Sequence, residues 1–255
     1  MTPQDQATKE AVRAFWEAEP CGSIHAQAPE GSREYFDEVE RQRYEAEPFI
    51  HDYAQFASAR GKTVLEIGVG MGTDHVNFAR AGANLSGVDL TEHGVSLVRR
   101  RLELEGLESD LRVGDAERLP YDDGSFDVVY SWGVLHHTPD SDRAIAEAIR
   151  VVKPGGRLCV MLYARHSWVS YGLWLRFGPL KGRPTRSLAD VLAHHMESPG
   201  TKGYTKAELR ALFSGLEDLR IEKVATPYDR VYARGLADVT GSALGFFTVI
   251  RGRRP

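Results

Sequence analysis

Apolar positions in the first 60 residues recur at helical spacing and show no strand-like alternation. Val12, Phe15 and Trp16 share one helical face. A loop follows around Pro20-Cys21-Gly22-Ser23 and Pro29-Glu30-Gly31. A later helix opens at Pro48, a favoured first-turn residue, with Phe49, Tyr53, Phe56 and Ala57 on one face, and Gly61 ends it. From Lys62 short apolar runs alternate with amphipathic stretches. Thr63 to Ile67, Asn84 to Val88, Leu111 to Val113, Phe126 to Tyr130 and Arg157 to Leu162 read as strands. Helices between them cover 73–81, a stretch capped by Thr91 with a Val95, Val98 and Leu102 stripe, and 141–151. Strands separated by helices make a parallel sheet covered on both faces.

After Tyr163 the rhythm breaks. Trp168, Tyr171 and Leu175 fall at helical spacing, either packing on the core or lining a lid. A Gly/Pro-rich link, Gly178 to Pro184, precedes a helix near Leu188 to Met196. Thr205-Lys206-Ala207-Glu208 is a capping box, and Leu219 to Val224 and Phe246 to Ile250 read as two last strands. The expected organisation is a helical cap at 1–60, a core at 61–163 and 204–255, and a lid insertion at 164–203.

Composition narrows the class. With 255 residues, 42% apolar and 27% charged, the chain suits one well-buried α/β domain and not a disordered one. The run Trp168 to Phe177 is interrupted by Ser170, Gly172 and Arg176, so no stretch reaches the roughly 18 apolar residues of a membrane span. Met1-Thr2-Pro3-Gln4-Asp5 lacks the basic and apolar regions of a signal peptide, so a cytoplasmic location is expected. Cys21 and Cys159 form neither a disulfide framework nor a metal cluster. A net charge of −4 weighs against nucleic acid as partner, although Arg251-Gly252-Arg253-Arg254 is a basic tip.

The most informative segment is Val64-Leu65-Glu66-Ile67-Gly68-Val69-Gly70-Met71-Gly72, a buried strand running into alternating glycines and a helix. Such a turn lets backbone approach a ligand and offers free N–H groups. The dinucleotide fingerprint needs a glycine at 73, where this chain has Thr73. Glu66 would repel a diphosphate but not an ammonium group. Asp89, 21 positions after Gly68, ends the second strand, where a carboxylate can take both ribose hydroxyls, and Asp115 follows the third strand. Three carboxylates without a phosphate-binding lysine point to a nucleoside with a cationic tail, S-adenosylmethionine in preference to NAD.

Taken together, the turn Glu66 to Gly72, Asp89, Gly114-Asp115-Ala116-Glu117-Arg118-Leu119-Pro120, Phe126 to Tyr130, Val134-Leu135-His136-His137 and Lys153-Pro154-Gly155-Gly156 resemble a class I S-adenosylmethionine-dependent methyltransferase. The pattern is similar to the type-11 group, which includes ubiquinone and menaquinone C-methyltransferases, and spans about residues 60 to 162. The resemblance implies a Rossmann-like, doubly wound, seven-stranded, mostly parallel sheet with a helical cap or lid. It implies that Gly68 and Gly70 border the methionine part of S-adenosyl-L-methionine, with Gly72 completing the turn and Glu66 ordering it. Asp89 would bind the ribose hydroxyls and Leu90 pack on adenine, while Asp115 accepts from the adenine amino group and the Ala116 N–H meets the ring. Ser131 or Trp132 would lie near the amino-acid end. Arg43 and Tyr44 would fold over the methionine carboxylate or else form a plain surface helix.

Methyl transfer from a sulfonium is an in-line displacement that needs alignment, a dry site and no metal. A base, where one is needed, belongs at the carboxyl ends of strands four and five. The candidates are His137 of the His136-His137 pair, Tyr163 and His166, with the lid turning Tyr163, His166 and Trp168 toward the acceptor. The expected acceptor is a small molecule. The alternatives are an RNA methyltransferase and a non-catalytic S-adenosylmethionine-binding module. Neither the acceptor nor the oligomeric state is encoded in these motifs.

Overall fold

The computed structural model describes residues 2–255. Three helices come first: α1 (Pro3–Ala18), α2 (Arg33–Ala46) and α3 (Ile50–Ala54). The alternating part follows as β1 (Thr63–Ile67), α4 (Thr73–Arg80), β2 (Asn84–Asp89), α5 (Glu92–Glu105), β3 (Asp110–Val113), β4 (Phe126–Trp132), α6 (Ser141–Arg150) and β5 (Val152–Tyr163). Then come α7 (Trp168–Phe177), α8 (Leu188–His195), α9 (Lys206–Leu212), β6 (Glu217–Val224), α10 (Pro227–Tyr232), α11 (Leu236–Thr240) and β7 (Phe247–Arg253).

The seven strands form one sheet in the order β3-β2-β1-β4-β5-β7-β6. All neighbours pair in parallel except those of β7, which runs antiparallel to both β5 and β6. This is the expected doubly wound, mostly parallel, Rossmann-like sheet. The order in which strands are added reverses between β1 and β4, so a crevice opens at their carboxyl ends, where ligands of open α/β sheets bind. Strand alternation splits the core. Val64 joins the apolar layer under α4 and α5, while Leu65 and Ile67 join the layer under α6 and α9.

Three local differences from the sequence reading have physical causes. The helix opening near Pro48 stops at Gln55, whose φ of 53° is left-handed, and a short 3₁₀ turn at Phe56–Ala59 continues the segment. Lys153 to Gly156 lies inside β5 as an irregularity, because register jumps from Phe126↔Val152 to Val128↔Arg157 across Pro154 and the left-handed Gly155. Finally, α10 and α11 interrupt the stretch assigned to the core between the last two strands. A capping box from Thr226 to Asp229 starts α10. No helix of the described residues is long and apolar enough to cross a membrane.

Candidate functional site at the carboxyl edge of the sheet

The turn after β1 is shaped by two differently used glycines. Gly68 has φ 79°, and a Cβ there would collide with the Val134 side chain, so packing alone demands glycine. Gly70 has φ 50°, yet a Cβ there would meet nothing within 4 Å. Its missing side chain faces open space, as a backbone-contact position requires. Gly72 (φ 73°) packs on Val98 and opens α4, whose start no described side chain caps, leaving N–H groups toward the crevice. The Gly70 N–H donates to Asp89 Oδ2 at 3.0 Å, and Asp89 Oδ1 accepts from the Thr91 N–H (2.9 Å) and hydroxyl (2.7 Å). The half-exposed carboxylate is thereby aimed: Thr91 occupies both lone pairs of Oδ1, and Oδ2 keeps one for a ligand.

Glu66 has a different position from the one its motif suggested. Parity along β1 turns it inward, where it is 3% exposed and lies 2.9 Å from His75 Nδ1. Burial raises its pKa well above the usual value and pushes that of His75 down to about 3. Ser109 Oγ donates to the Leu85 carbonyl (2.9 Å), so His75 Nε2–H donates to Ser109 Oγ (2.9 Å) and Glu66 supplies the proton to Nδ1. The motif acid is a neutral strut between β1 and α4.

Beyond the turn, buried Asp74 collects three partners. Arg43 approaches it at 3.0 Å, the Tyr44 hydroxyl at 2.9 Å and the Tyr130 hydroxyl at 2.8 Å. Tyr44 also accepts from the Asn77 amide, so it braces α2 on α4 and does not reach out as a ligand arm. The Arg43 side chain is 23% exposed and lies near Glu47, a buried acid that accepts from Trp132 Nε1 (3.1 Å) and Tyr228 (3.5 Å). Desolvation raises the Glu47 pKa and pushes that of Tyr228 up to about 12. Ser131 is fully buried, and its hydroxyl donates to the Ile67 carbonyl at 3.0 Å, tying β4 to β1. Of the Ser131/Trp132 pair, Trp132 is therefore the residue turned to this end of the crevice.

Asp115, Ala116 and Leu90 sit half-exposed at the same edge, but Asp115 has a partner. Lys9 of α1 bridges Asp115 (2.6 Å) and Glu117, and Asp115 also accepts from the Glu117 N–H. Glu17 accepts from the His93 N–H, and Trp16 meets the His137 ring edge-on at 5.2 Å. One helix thus crosses the carboxyl edge from beyond β3 to beyond β4.

The second half of the site joins His137 and Tyr163 through a residue that no motif had marked. Glu197 accepts from the Tyr163 hydroxyl at 2.8 Å and lies 3.3 Å from His137 Nε2. His137 Nδ1 contacts Ser198 and Thr201 hydroxyls (2.8 and 3.0 Å), leaving Nε2 without a hydrogen-bond partner. Glu197 has φ 25°, a strained conformation for a non-glycine residue. The loop that imposes it is pinned by Lys202, which donates to the Thr138 and Pro139 carbonyls, and by Tyr204, paired to the end of β5. Burial raises the Tyr163 pKa well above 10, so Tyr163 stays a neutral donor. His136 packs against Tyr163 with ring centroids 3.9 Å apart and planes tilted by 42°, fully buried, with both ring nitrogens unpaired among the described residues. Cys21 opens toward the same space, accessible yet ringed by Glu197, Arg43 and Glu47, and desolvation pushes its thiol up to about 11.

His166 is not part of this cluster. It is exposed, its ring contacts Tyr171 and its carbonyl accepts from Lys223 on the edge strand β6. Trp168 likewise turns away, donating to Thr240. The peptide after Ala164 runs along the carboxyl edge toward the end of β6, away from Glu197 and His137, so sequence proximity to Tyr163 misleads for both.

Comparisons with known proteins agree with this geometry. Residues 65–160 match the family model described as a methyltransferase domain, and that segment is a class I methyltransferase domain of the type-11 group. A phthiotriol/phenolphthiotriol dimycocerosates methyltransferase of Mycobacterium leprae is 40% identical over 110 residues, covering 42% of this chain and 40% of that one. This chain thus spans about two fifths of the length of the curated relatives it matches. Among solved structures, geranyl diphosphate C-methyltransferase from Streptomyces coelicolor aligns with TM-score 0.65 at 17% identity, covering 100% of this chain and 99% of its own. The cyclase SpnF aligns with TM-score 0.60 at 20% identity, covering 98% and 96%. These two likenesses establish the fold.

Proposed function

We propose that this chain, built around the methyltransferase domain at residues 65–160, is an S-adenosylmethionine-dependent enzyme that methylates a small molecule. The observation that carries this reading is the Asp89 carboxylate fixed by the Gly70 N–H at the mouth of an open glycine turn. The residues fit the cofactor. Asp89 Oδ2 offers a lone pair to a ribose hydroxyl, Gly70 leaves room for the methionine chain, and α4 and Arg43 offer donors to its carboxylate. Leu90 and Ala116 are available to flank adenine, and Asp115 can accept its amino group once Lys9 gives way. When bound, S-adenosylmethionine supplies an electrophilic methyl group on sulfur.

The chain's own residues do the rest. In this reading residues 2–60 act as a cap and 164–203 as a lid. Trp132, Trp16 and Tyr228 keep water from the space between them, where charge redistribution is least hindered. Glu197 receives a proton leaving the acceptor, with neutral Tyr163 holding one carboxylate oxygen and His137 presenting Nε2 beside it. His166 has no part in this reading. The fold likeness to a cyclase favours a second reading, a site of this shape serving a reaction other than methyl transfer.

Calorimetry on the full chain tests the cofactor: S-adenosylhomocysteine should bind with micromolar Kd, on the order of −8 kcal/mol, and NAD should give no heat. Binding of NAD alone would overturn the assignment. Incubation with S-adenosylmethionine and a metabolite extract should yield a product one methylene heavier. Cofactor binding without any such product would favour the second reading.

A further inference from the structure

The outer surface of α7, α10 and α11 is unusually apolar. Val239 is 85% exposed, Val231 76% and Leu180 72%, and Leu175 and Leu236 are also exposed. The elements that carry them pack on one another. Tyr232 of α10 lies directly over Gly172 of α7, where any Cβ would collide with its ring, so the two helices pack closely. Leu175 is one turn further along α7, and Leu180 follows in the 3₁₀ turn at Pro179–Lys181. A monomer seldom exposes so many large apolar side chains together without a partner for them.

The rim of this face is basic, although the chain as a whole carries −4. Residues 175–186 include Arg176, Lys181 and Arg183, with Arg186 already paired to Asp190. Residues 227–239 add Arg234. Their two acids are already engaged: Asp229 is buried, accepting from Thr226 and the Phe246 N–H, and Asp238 pairs with Arg230. A second copy of the chain is a poor occupant, because a two-fold contact would set these cations opposite one another. An anionic bilayer suits both features at once: apolar side chains enter the acyl boundary and the cations meet lipid phosphates.

We propose that the α7–α10–α11 face docks on an anionic membrane surface. The inner side of α10 carries Tyr228 to Glu47, so docking sets the edge of the candidate site against the lipid. An apolar acceptor then has a route from the bilayer to Tyr163 and Glu197. The docking itself stands whether or not the chain transfers methyl groups.

Flotation of the full chain with vesicles tests it. The protein should float with vesicles of equimolar phosphatidylcholine and phosphatidylserine and stay behind with phosphatidylcholine alone. Val231→Asp/Val239→Asp should weaken the bound fraction about tenfold or more, and so should Arg176→Glu/Arg183→Glu. All four positions are exposed, so the melting temperature and circular dichroism should be unchanged. Failure to bind anionic vesicles would overturn the proposal, as would full binding by the Val231→Asp/Val239→Asp variant. A concentration-dependent dimer abolished by Val239→Asp, with no vesicle binding, would also overturn it and give the face to a second copy.

Discussion

Replacing Glu66 by glutamine asks whether the motif acid is a buried, protonated strut. Folded, Glu66 and His75 hold one proton near neutrality, because burial raises the Glu66 pKa well above 4.5 and lowers that of His75 from 6.5 to about 3. Unfolded, the two groups hold two protons below pH 4.5, one between 4.5 and 6.5, and none above 6.5. Stability rises with pH where the unfolded chain binds more protons and falls where it binds fewer. The pair's contribution is therefore level from pH 4.5 to 6.5 and declines above it, by about 1.4 kcal/mol per pH unit while folded Glu66 keeps its proton. Glu66→Gln keeps the hydrogen bond to Nδ1 with an amide N–H and needs no proton. Its contribution should climb to pH 6.5 and then stay level. Urea unfolding followed by circular dichroism should show the variant gaining on the natural chain by about 1.4 kcal/mol per pH unit as pH rises above 6.5. A constant difference across that range would refute the protonated acid. An infrared carbonyl band of a neutral carboxylic acid, lost in the variant, would separate this arrangement from a buried ion pair.

Asp89→Ala should weaken S-adenosylhomocysteine binding about 10- to 100-fold in calorimetry, the scale of hydrogen bonds to a charged group. An unchanged Kd would put the ribose elsewhere. Gly68→Ala should lower stability by more than the ~1–2 kcal/mol of a left-handed side chain, because it also meets Val134. Adding Val134→Ala should recover the collision part alone, and no recovery in thermal melts would exclude that collision as the cause. His136→Phe should raise the melting temperature, a gain of roughly 1 kcal/mol or more from removing two unpaired ring nitrogens. A lower melting temperature would mean that the imidazole has a partner worth keeping.

The sheet was legible because each of its strands carries its own signal, a short apolar run bounded by turn residues. The glycine turn was legible for a backbone reason: Gly68, Gly70 and Gly72 all take positive φ, which few other residues tolerate. Asp89, Asp115, His137 and Tyr163 could be brought to one edge because each ends or follows a strand. The rest depended on distance and parity. Glu197 stands 60 residues from His137, and only the pinning by Lys202 and Tyr204 delivers it. Lys9 reaches Asp115 across 106 positions. Glu66 was visible as an acid, but not its partner, since His75 looked like an ordinary helix residue. The helices α10 and α11 were hidden by length, being too short for a periodic stripe to stand out.

The Lys9 bridge has a kinetic meaning. Because α1 lies across the carboxyl edge and closes on Asp115, an adenosine-bearing molecule reaches that acid only when the helix lifts. The association rate is then capped by how often the two ion pairs open, and departure waits on the same event. Added salt loosens partly exposed ion pairs, so it should quicken both arrival and exit while moving the equilibrium far less. Anything fused ahead of Thr2 hangs from the N-cap of this helix, where Thr2 and Asp5 form a capping box, and a charged tag there would alter the traffic without touching a single ligand contact.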